Sequence, residues 1–273
     1  MSILDRYPTL KHQLEIGTNI YVAFCTPMYG GVGLVDYFGS LINTMNLLDS
    51  VGIKHKYFFT KQESLIQRAR NTLVGLALNI PEITHIFFVD GDIQWNSTDV
   101  LGLLNNDVDL VGGIYPKKSY NFKGMVKADE ILKGKATNKY SVDIPDDAYL
   151  KHHLVSYNLN TCGSNTITNG LVEVQHIATG FMMIKRGVFE KMIIAHPEWE
   201  YLDNIHTPPL VDIKFYAFFE CLIKDKYYLS EDWTFCERWK ELGGKVYANV
   251  CIPLTHIGTV GYEGRLLSTL NVT

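Results

Sequence analysis

The chain has 273 residues, of which 47% are hydrophobic, 12% aromatic and only 20% charged. That apolar share supports a substantial core and excludes a disordered or fibrous chain. With 25 basic against 29 acidic residues the formal net charge is −4, so nucleic acid is not an expected partner.

Asn19 to Cys25 is the first strand candidate. Leu34, Val35, Phe38, Leu41, Ile42, Met45 and Leu48 recur at three- and four-residue spacing and predict an amphipathic helix that stops at Gly52. Ile53 to Thr60 reads as a second strand, Glu63 to Asn79 as a helix closed by Pro81, and Thr84 to Val89 as a fully buried third strand. A helix from Ser97 or Thr98 and a fourth strand over Val108 to Ile114 follow. Gly112-Gly113 within that strand predicts a backbone that something approaches closely. Short β-rich runs alternating with amphipathic stretches build parallel strands linked by crossover helices, so the expected class is α/β.

From Pro116 to Asn169 the periodicity fades, and the segment reads as a long functional excursion. Order returns over Leu171 to Lys185, where two strands flank Ala178-Thr179-Gly180, followed by a helix from Gly187 to Ala195 and a loop over His196 to Leu210. A strand near Phe215 to Ile223 leads to Ser230, which has the chemistry of an N-cap for a helix ending at Gly243-Gly244. Short strands at Lys245 to Asn249 and Ile252 to His256 precede a Gly-rich tail. No linker divides the chain, so one domain over 1–273 is expected.

Cys25, Cys162, Cys221, Cys236 and Cys251 are odd in number and widely spread, which predicts buried thiols in a reducing compartment. Asp5, Arg6, Lys11 and His12 interrupt the first residues, so neither a secretory leader nor a membrane anchor is expected there. No window reaches the length of a spanning helix, and the expectation is a cytoplasmic protein without a membrane span.

The most informative stretch is Ile86-Phe87-Phe88-Val89-Asp90-Gly91-Asp92, an apolar strand ending in two carboxylates separated by glycine. Ligands of open α/β sheets bind just beyond such strand ends. Two carboxylates at this spacing suit a shared divalent cation, and the glycine lets a phosphate pass near the main chain. The alternative is a polar turn in which the aspartates cap local amides. An EF-hand loop starting at Asp90 requires glycine where Trp95 stands and glutamate where Leu101 stands, so that reading fails. A phosphatase-type Asp-x-Asp continues with Gly-Thr, whereas Ile93-Gln94 follow here.

Thr84 to Asp92 resembles the strand and Asp-x-Asp motif of GT-A-fold glycosyltransferases, which transfer a sugar from a nucleotide-sugar donor. Gln67-Arg68-Ala69-Arg70-Asn71 is similar to an Arg-Ala-Arg-Asn element of some members. The resemblance implies a GT-A-like fold: a Rossmann-like nucleotide-binding half over 17–115, an acceptor half over 116–273 and a mixed central sheet. It also implies a metal-dependent transferase, with Mn²⁺, or Mg²⁺ in its place, at Asp90, Asp92 and His256, and a UDP-sugar as donor. Donor contacts are expected from Thr26, Pro27, Tyr29, Arg70, Asn71, Asp90, Gly91, Lys117, Thr179 and Gly180. Arg68 and Arg70 lie about 200° apart on a helix, so one of them faces the diphosphate, with Arg70 preferred.

Ser230-Glu231-Asp232-Trp233 and Thr255-His256-Ile257-Gly258 fall in the order of the family's distal acidic cluster and histidine. If the reaction inverts the anomeric centre, Asp232 is expected as the base that accepts the proton of a hydroxyl acceptor, with Glu231 orienting the acceptor or the two roles exchanged; a retaining reaction stays open. Both carboxylates also suit a helix N-terminus without any catalytic role. Trp199, Tyr201, Tyr227, Tyr228, Trp233 and Trp239 are candidate stacking platforms for sugar rings. The alternatives are a nucleotidyltransferase, against which Met28 to Val35 carries glycines without a basic residue, and a non-catalytic nucleotide or sugar-binding module.

Overall fold

The computed structural model describes residues 2–133, 146–157, 159–163, 166–203, 210–258 and 261–266. Parts of the 116–169 excursion, of the 196–210 loop with Pro208 and Pro209, and of the Gly-rich tail lie outside the described residues.

In chain order, α1 (Pro8–Glu15), β1 (Tyr21–Met28), α2 (Val35–Ser50), β2 (Lys54–Lys61), α3 (Ile66–Leu78) and β3 (His85–Val89) form successive parallel β-α-β crossovers. β4 (Ile93–Gln94), α4 (Ser97–Asn106), β5 (Leu110–Gly113) and β6 (Pro116–Tyr120) follow. The excursion is structured where described: α5 (Phe122–Lys133), α6 (Asp146–His153), β7 (Val155–Tyr157) and β8 (Asn160–Thr161). Its weak periodicity reflects short elements rather than loop. The remainder is β9 (Leu171–His176), β10 (Phe181–Lys185), α7 (Arg186–Ala195), β11 (Glu200–Tyr201), β12 (Phe215–Tyr216), β13 (Leu222–Lys224), β14 (Tyr227–Leu229), α8 (Glu231–Glu241), β15 (Val246–Asn249), β16 (Leu254–Ile257) and β17 (Gly261–Gly264). The single strand expected over Phe215 to Ile223 is thus two short strands with different partners, β11 for β12 and β14 for β13.

The central sheet runs β2-β1-β3-β10-β5-β15-β9-β8. It is mixed: β10 is antiparallel to both β3 and β5, while β5 and β15 are parallel. The chain is an α/β protein, and strands from its first and second halves interleave at the middle of one sheet. Side-chain alternation along β1 and β3 divides the core. Ala23, Cys25, Ile86 and Phe88 join residues of α3, α7 and α8 on one face, while Val22, Phe24, Phe87 and Val89 join α1, α2 and α4 on the other. No helix among the described residues is long and apolar enough to cross a membrane.

Two expectations are corrected, for α2 and for the cysteines, and the close approach expected at Gly112-Gly113 is found. α2 buries Tyr37, Ser40, Leu41, Thr44 and Leu48, whereas Val35 is 86% exposed and Ile42 also faces solvent. Polar contacts set that rotation: the Trp95 indole donates to Thr44 at 2.9 Å, the Trp95 amide donates to Ser40 at 3.1 Å, and the Tyr37 and Thr26 hydroxyls meet at 2.7 Å. Gly112 and Gly113 are approached by the protein itself. A Cβ on Gly112 would meet the Phe181 carbonyl at 2.6 Å, and one on Gly113 would meet Leu254 at 2.7 Å. Of the cysteines, Cys25 and Cys236 are buried, but Cys162 and Cys251 are exposed.

Candidate functional site

β3 delivers the Asp-Gly-Asp turn to the sheet edge where β1 also ends. The Asp90 amide donates to the Gly180 carbonyl at 3.0 Å, and the Ile93 amide closes the turn onto the Asp90 carbonyl at 3.1 Å. The Leu34 amide donates to Gly91 at 3.3 Å and ties the β1–α2 loop to the same turn. A Cβ on Gly91 would find only ordinary contacts, with Met28 at 3.8 Å, so protein packing does not demand glycine there.

The two aspartates diverge. Asp90 meets Arg70, a guanidinium that is 4% exposed because α3 buries an unbroken run from Ala69 to Gly75. Arg70 Nη2 donates to Asp90 at 3.2 Å and Nε to Glu231 at 3.3 Å. The guanidinium sits over the Phe88 ring at 5.6 Å, while Nη1 has no partner among the described residues. Burial disfavours its charge, but Asp90 and then Glu231 outweigh that and raise its pKa. Arg68 points elsewhere and clamps Glu63 at 2.6 and 3.0 Å, as the helical angle requires.

α8 begins at Glu231. Ser230 makes no capping bond to the helix; its hydroxyl donates a short hydrogen bond to Asp232, which also accepts from the Trp233 amide at 2.8 Å. Burial raises the Asp232 pKa against the Ser230 hydrogen bond, and the Glu231 charge adds to the rise. A carboxylate with raised proton affinity is suited to take up a proton. Tyr115, which the sequence reading did not select as a site residue, belongs to the same cluster. Burial pushes its phenol up, as do the charges of Asp90 and Asp232, with Arg70 opposing. Its ring meets His256 edge-on at 5.0 Å.

Asp92 faces the other side. β4 pairs with β16, placing Ile93 opposite His256, and the Ile257 amide donates to the Asp92 carbonyl at 2.8 Å. His256 Nδ1 donates to the Pro116 carbonyl at 2.9 Å, since a carbonyl only accepts. In the neutral ring Nε2 then carries a lone pair, 3.5 Å from Asp92 Oδ2. Lys118 Nζ reaches the same oxygen at 2.5 Å. Burial opposes ionisation of Asp92, but the His256 ring, when Nε2 also carries a proton, and the Lys118 ammonium outweigh it and hold the carboxyl at about 2.

Of Asp90, Asp92 and His256, the structure brings the last two together, while Asp90 turns onto Arg70. Among the described residues no group of three or more His, Cys, Asp or Glu side chains is arranged to hold a metal. One carboxylate oxygen and one imidazole nitrogen face each other, a pair of donors that would need most of a divalent cation's remaining ligands from outside the protein.

The remaining expected contacts fall outside this cluster or are already engaged. β1 continues to Met28, so Thr26 and Pro27 are strand residues paired with Phe59 and Thr60. Tyr29 is 76% exposed in a turn whose Gly30 and Gly31 have φ of 75° and 70°. The Asn71 amide is taken up at both ends by Phe219: Nδ2 donates to its carbonyl at 3.1 Å, and Oδ1 accepts from its amide at 2.9 Å. Thr179 is buried. Gly180 carries the Tyr115 ring, because a Cβ there would meet the phenol oxygen at 2.4 Å. Lys117 is exposed and alternates with Lys118 along β6, so its neighbour is the lysine that reaches Asp92. Of the aromatic set, Trp239 is buried, Trp233 stacks on His176 and Trp199 on His196, while Tyr227 and Tyr228 are exposed. A cavity of about 830 Å³ lined by Thr9, Asn105, Thr168 and Glu173 opens elsewhere, and none of the candidate residues lines it.

No family model matches the chain. No curated protein matches it either. Among solved structures, the crystal structure of A197 from STIV is similar over 88% of this chain and 86% of that one, at 18% identity and a TM-score of 0.45.

Proposed function

We propose that this chain is a GT-A-like glycosyltransferase that moves a sugar from a nucleotide-sugar donor to a hydroxyl acceptor at the cleft beyond β3. The observation that carries the reading is the meeting of Asp92 with His256 through β4 and β16, beside the Asp90–Arg70–Glu231 chain and Asp232. The resemblance of Thr84 to Asp92 and of the Arg70 element suggests UDP as the nucleotide.

In this reading Asp92 and His256 hold a divalent cation, Mn²⁺ or Mg²⁺, against the donor diphosphate. The cation supplies charge stabilisation to the departing nucleoside diphosphate. Arg70 fixes Asp90 and Glu231, and its unpartnered Nη1 has hydrogen-bonding capacity left for a phosphate oxygen. Asp232 takes the proton of the acceptor hydroxyl as its oxygen bonds to the anomeric carbon and the carbon–phosphate-oxygen bond breaks. Tyr115, near enough to feel the charges of Asp90 and Asp232, keeps its proton and acts as a hydrogen-bond donor there.

The test is a thermal-shift screen of UDP-, GDP- and dTDP-sugars with and without Mn²⁺. A donor at ~100 times its Kd stabilises the native state by about 2.7 kcal/mol, a rise of roughly 5 °C. Absence of any shift across the panel overturns the proposal.

A further inference from the structure

Lys118 makes the closest contact to Asp92, and neither the fold nor the proposed transfer requires it there. Its ammonium lies 2.5 Å from Oδ2, the oxygen that also faces His256 Nε2. Both side chains remain about a third exposed, at 36% and 35%, so the ammonium has a route to solvent at the end of a flexible stem. Its strand is anchored independently of the lysine: β6 pairs with β7, and the Pro116 carbonyl receives the His256 Nδ1 proton. Lys118 can therefore leave Asp92 without disturbing the histidine. Asp90 and Glu231 are committed to Arg70, and the backbone of Ile257 holds the main chain of Asp92, so the lysine is the movable cation of the group.

A divalent cation held between Asp92 Oδ2 and His256 Nε2 occupies the ground that the ammonium now holds, and the two positive charges repel at that range. We propose that Lys118 is a displaceable internal counter-ion of the Asp92–His256 cation position. It neutralises Asp92 in the free protein, leaves when a divalent cation arrives, and re-pairs with the diphosphate that the cation brings. This deepens the functional reading given above and rests on its cation position. The exchange balances in charge: one ammonium is released from one carboxylate, a dication takes its place, and the released ammonium meets phosphate oxygens. Cation and diphosphate then bind with mutual reinforcement, because the cost of breaking the Lys118–Asp92 pair is offset only when a phosphate is present for the lysine.

The experiment titrates Mn²⁺ alone into the full chain, by calorimetry and by loss of the free-ion paramagnetic resonance signal, and then repeats it with UDP present. Lys118→Met is expected to bind Mn²⁺ alone about tenfold tighter than the parent, the scale of one charge-assisted hydrogen bond. UDP should then tighten Mn²⁺ binding less in Lys118→Met than in the parent. Lys118→Arg keeps the charge and should stay within about twofold of the parent. Asp92→Asn should lose Mn²⁺ binding. Equal or weaker Mn²⁺ affinity in Lys118→Met, with Asp92→Asn still abolishing binding, overturns the counter-ion role and leaves the cation position standing. No Mn²⁺ binding in any variant, with or without UDP, overturns both. Lys118→Gln gives a second charge-neutral variant, and a circular dichroism melt confirms that each is folded.

Discussion

Arg70 is the side chain whose removal reports most about how the site is held. Replacing it with Met keeps the volume over the Phe88 ring and deletes the charge that separates Asp90 from Glu231. Breaking a buried pair by removing one partner costs about 3–5 kcal/mol. Here the Asp90 side chain is 30% exposed and Glu231 13%, so water recovers part of their solvation and about 2–3 kcal/mol is expected. For a chain of this length that is a fall in melting temperature of roughly 4–5 °C. Guanidinium melts of the parent, Arg70→Met, Glu231→Gln and the double variant close a thermodynamic cycle. Glu231→Gln should restore about 1–2 kcal/mol in the Arg70→Met background, because it removes one stranded charge. A loss below about 0.5 kcal/mol, or a strictly additive cycle, would refute Arg70 as the electrostatic bridge between α3, the Asp-Gly-Asp turn and α8.

Three further outcomes follow from the same geometry. Asn71→Ala leaves the Phe219 amide and carbonyl unpaired in the core and should cost about 2–4 kcal/mol in a urea melt, with UDP affinity of the folded protein unchanged; an affinity loss without a stability loss would return Asn71 to the donor site. The Asp92 carboxyl, held at about 2, lies below its unfolded value of about 3.9, so it contributes stability that is present above pH ~4 and lost as pH falls towards 2. With a third of its surface in solvent this amounts to about 1 kcal/mol, and Asp92→Asn should flatten that part of the stability profile; an unchanged profile contradicts the pairing of Asp92 with Lys118 and His256. Asp232→Asn should bind UDP and Mn²⁺ as the parent does while transfer, assayed with a sugar donor found in the screen, falls by at least ~100-fold; full turnover removes Asp232 as the base.

Much of the architecture of the first half was legible because its signals are local. The β-α-β crossovers are written in short apolar runs and helical spacing, and the 200° angle between Arg68 and Arg70 shows that only one of them enters the core. What escaped depends on pairing between distant segments. Nothing local announces that β10 inserts between β3 and β5, or that the two-residue β4 pairs with β16 and so carries His256 to Asp92. Lys117 and Lys118 differ by one step of strand alternation, and the excursion's faint periodicity hid the strand that decides between them. The apolar stripe of α2 pointed to Val35 and Ile42 as core, but hydrogen bonds from Trp95 and Thr26 turn a polar face inward. Nothing local singles out Tyr115, whose place among Asp90, Asp232 and Arg70 exists only once the sheet has assembled.

The most direct test of the central claim is calorimetry of UDP binding with and without Mn²⁺, on the parent and on Asp92→Ala. The account predicts Mn²⁺-dependent UDP binding that Asp92→Ala abolishes. Undiminished affinity in Asp92→Ala, or UDP binding indifferent to Mn²⁺, would contradict it.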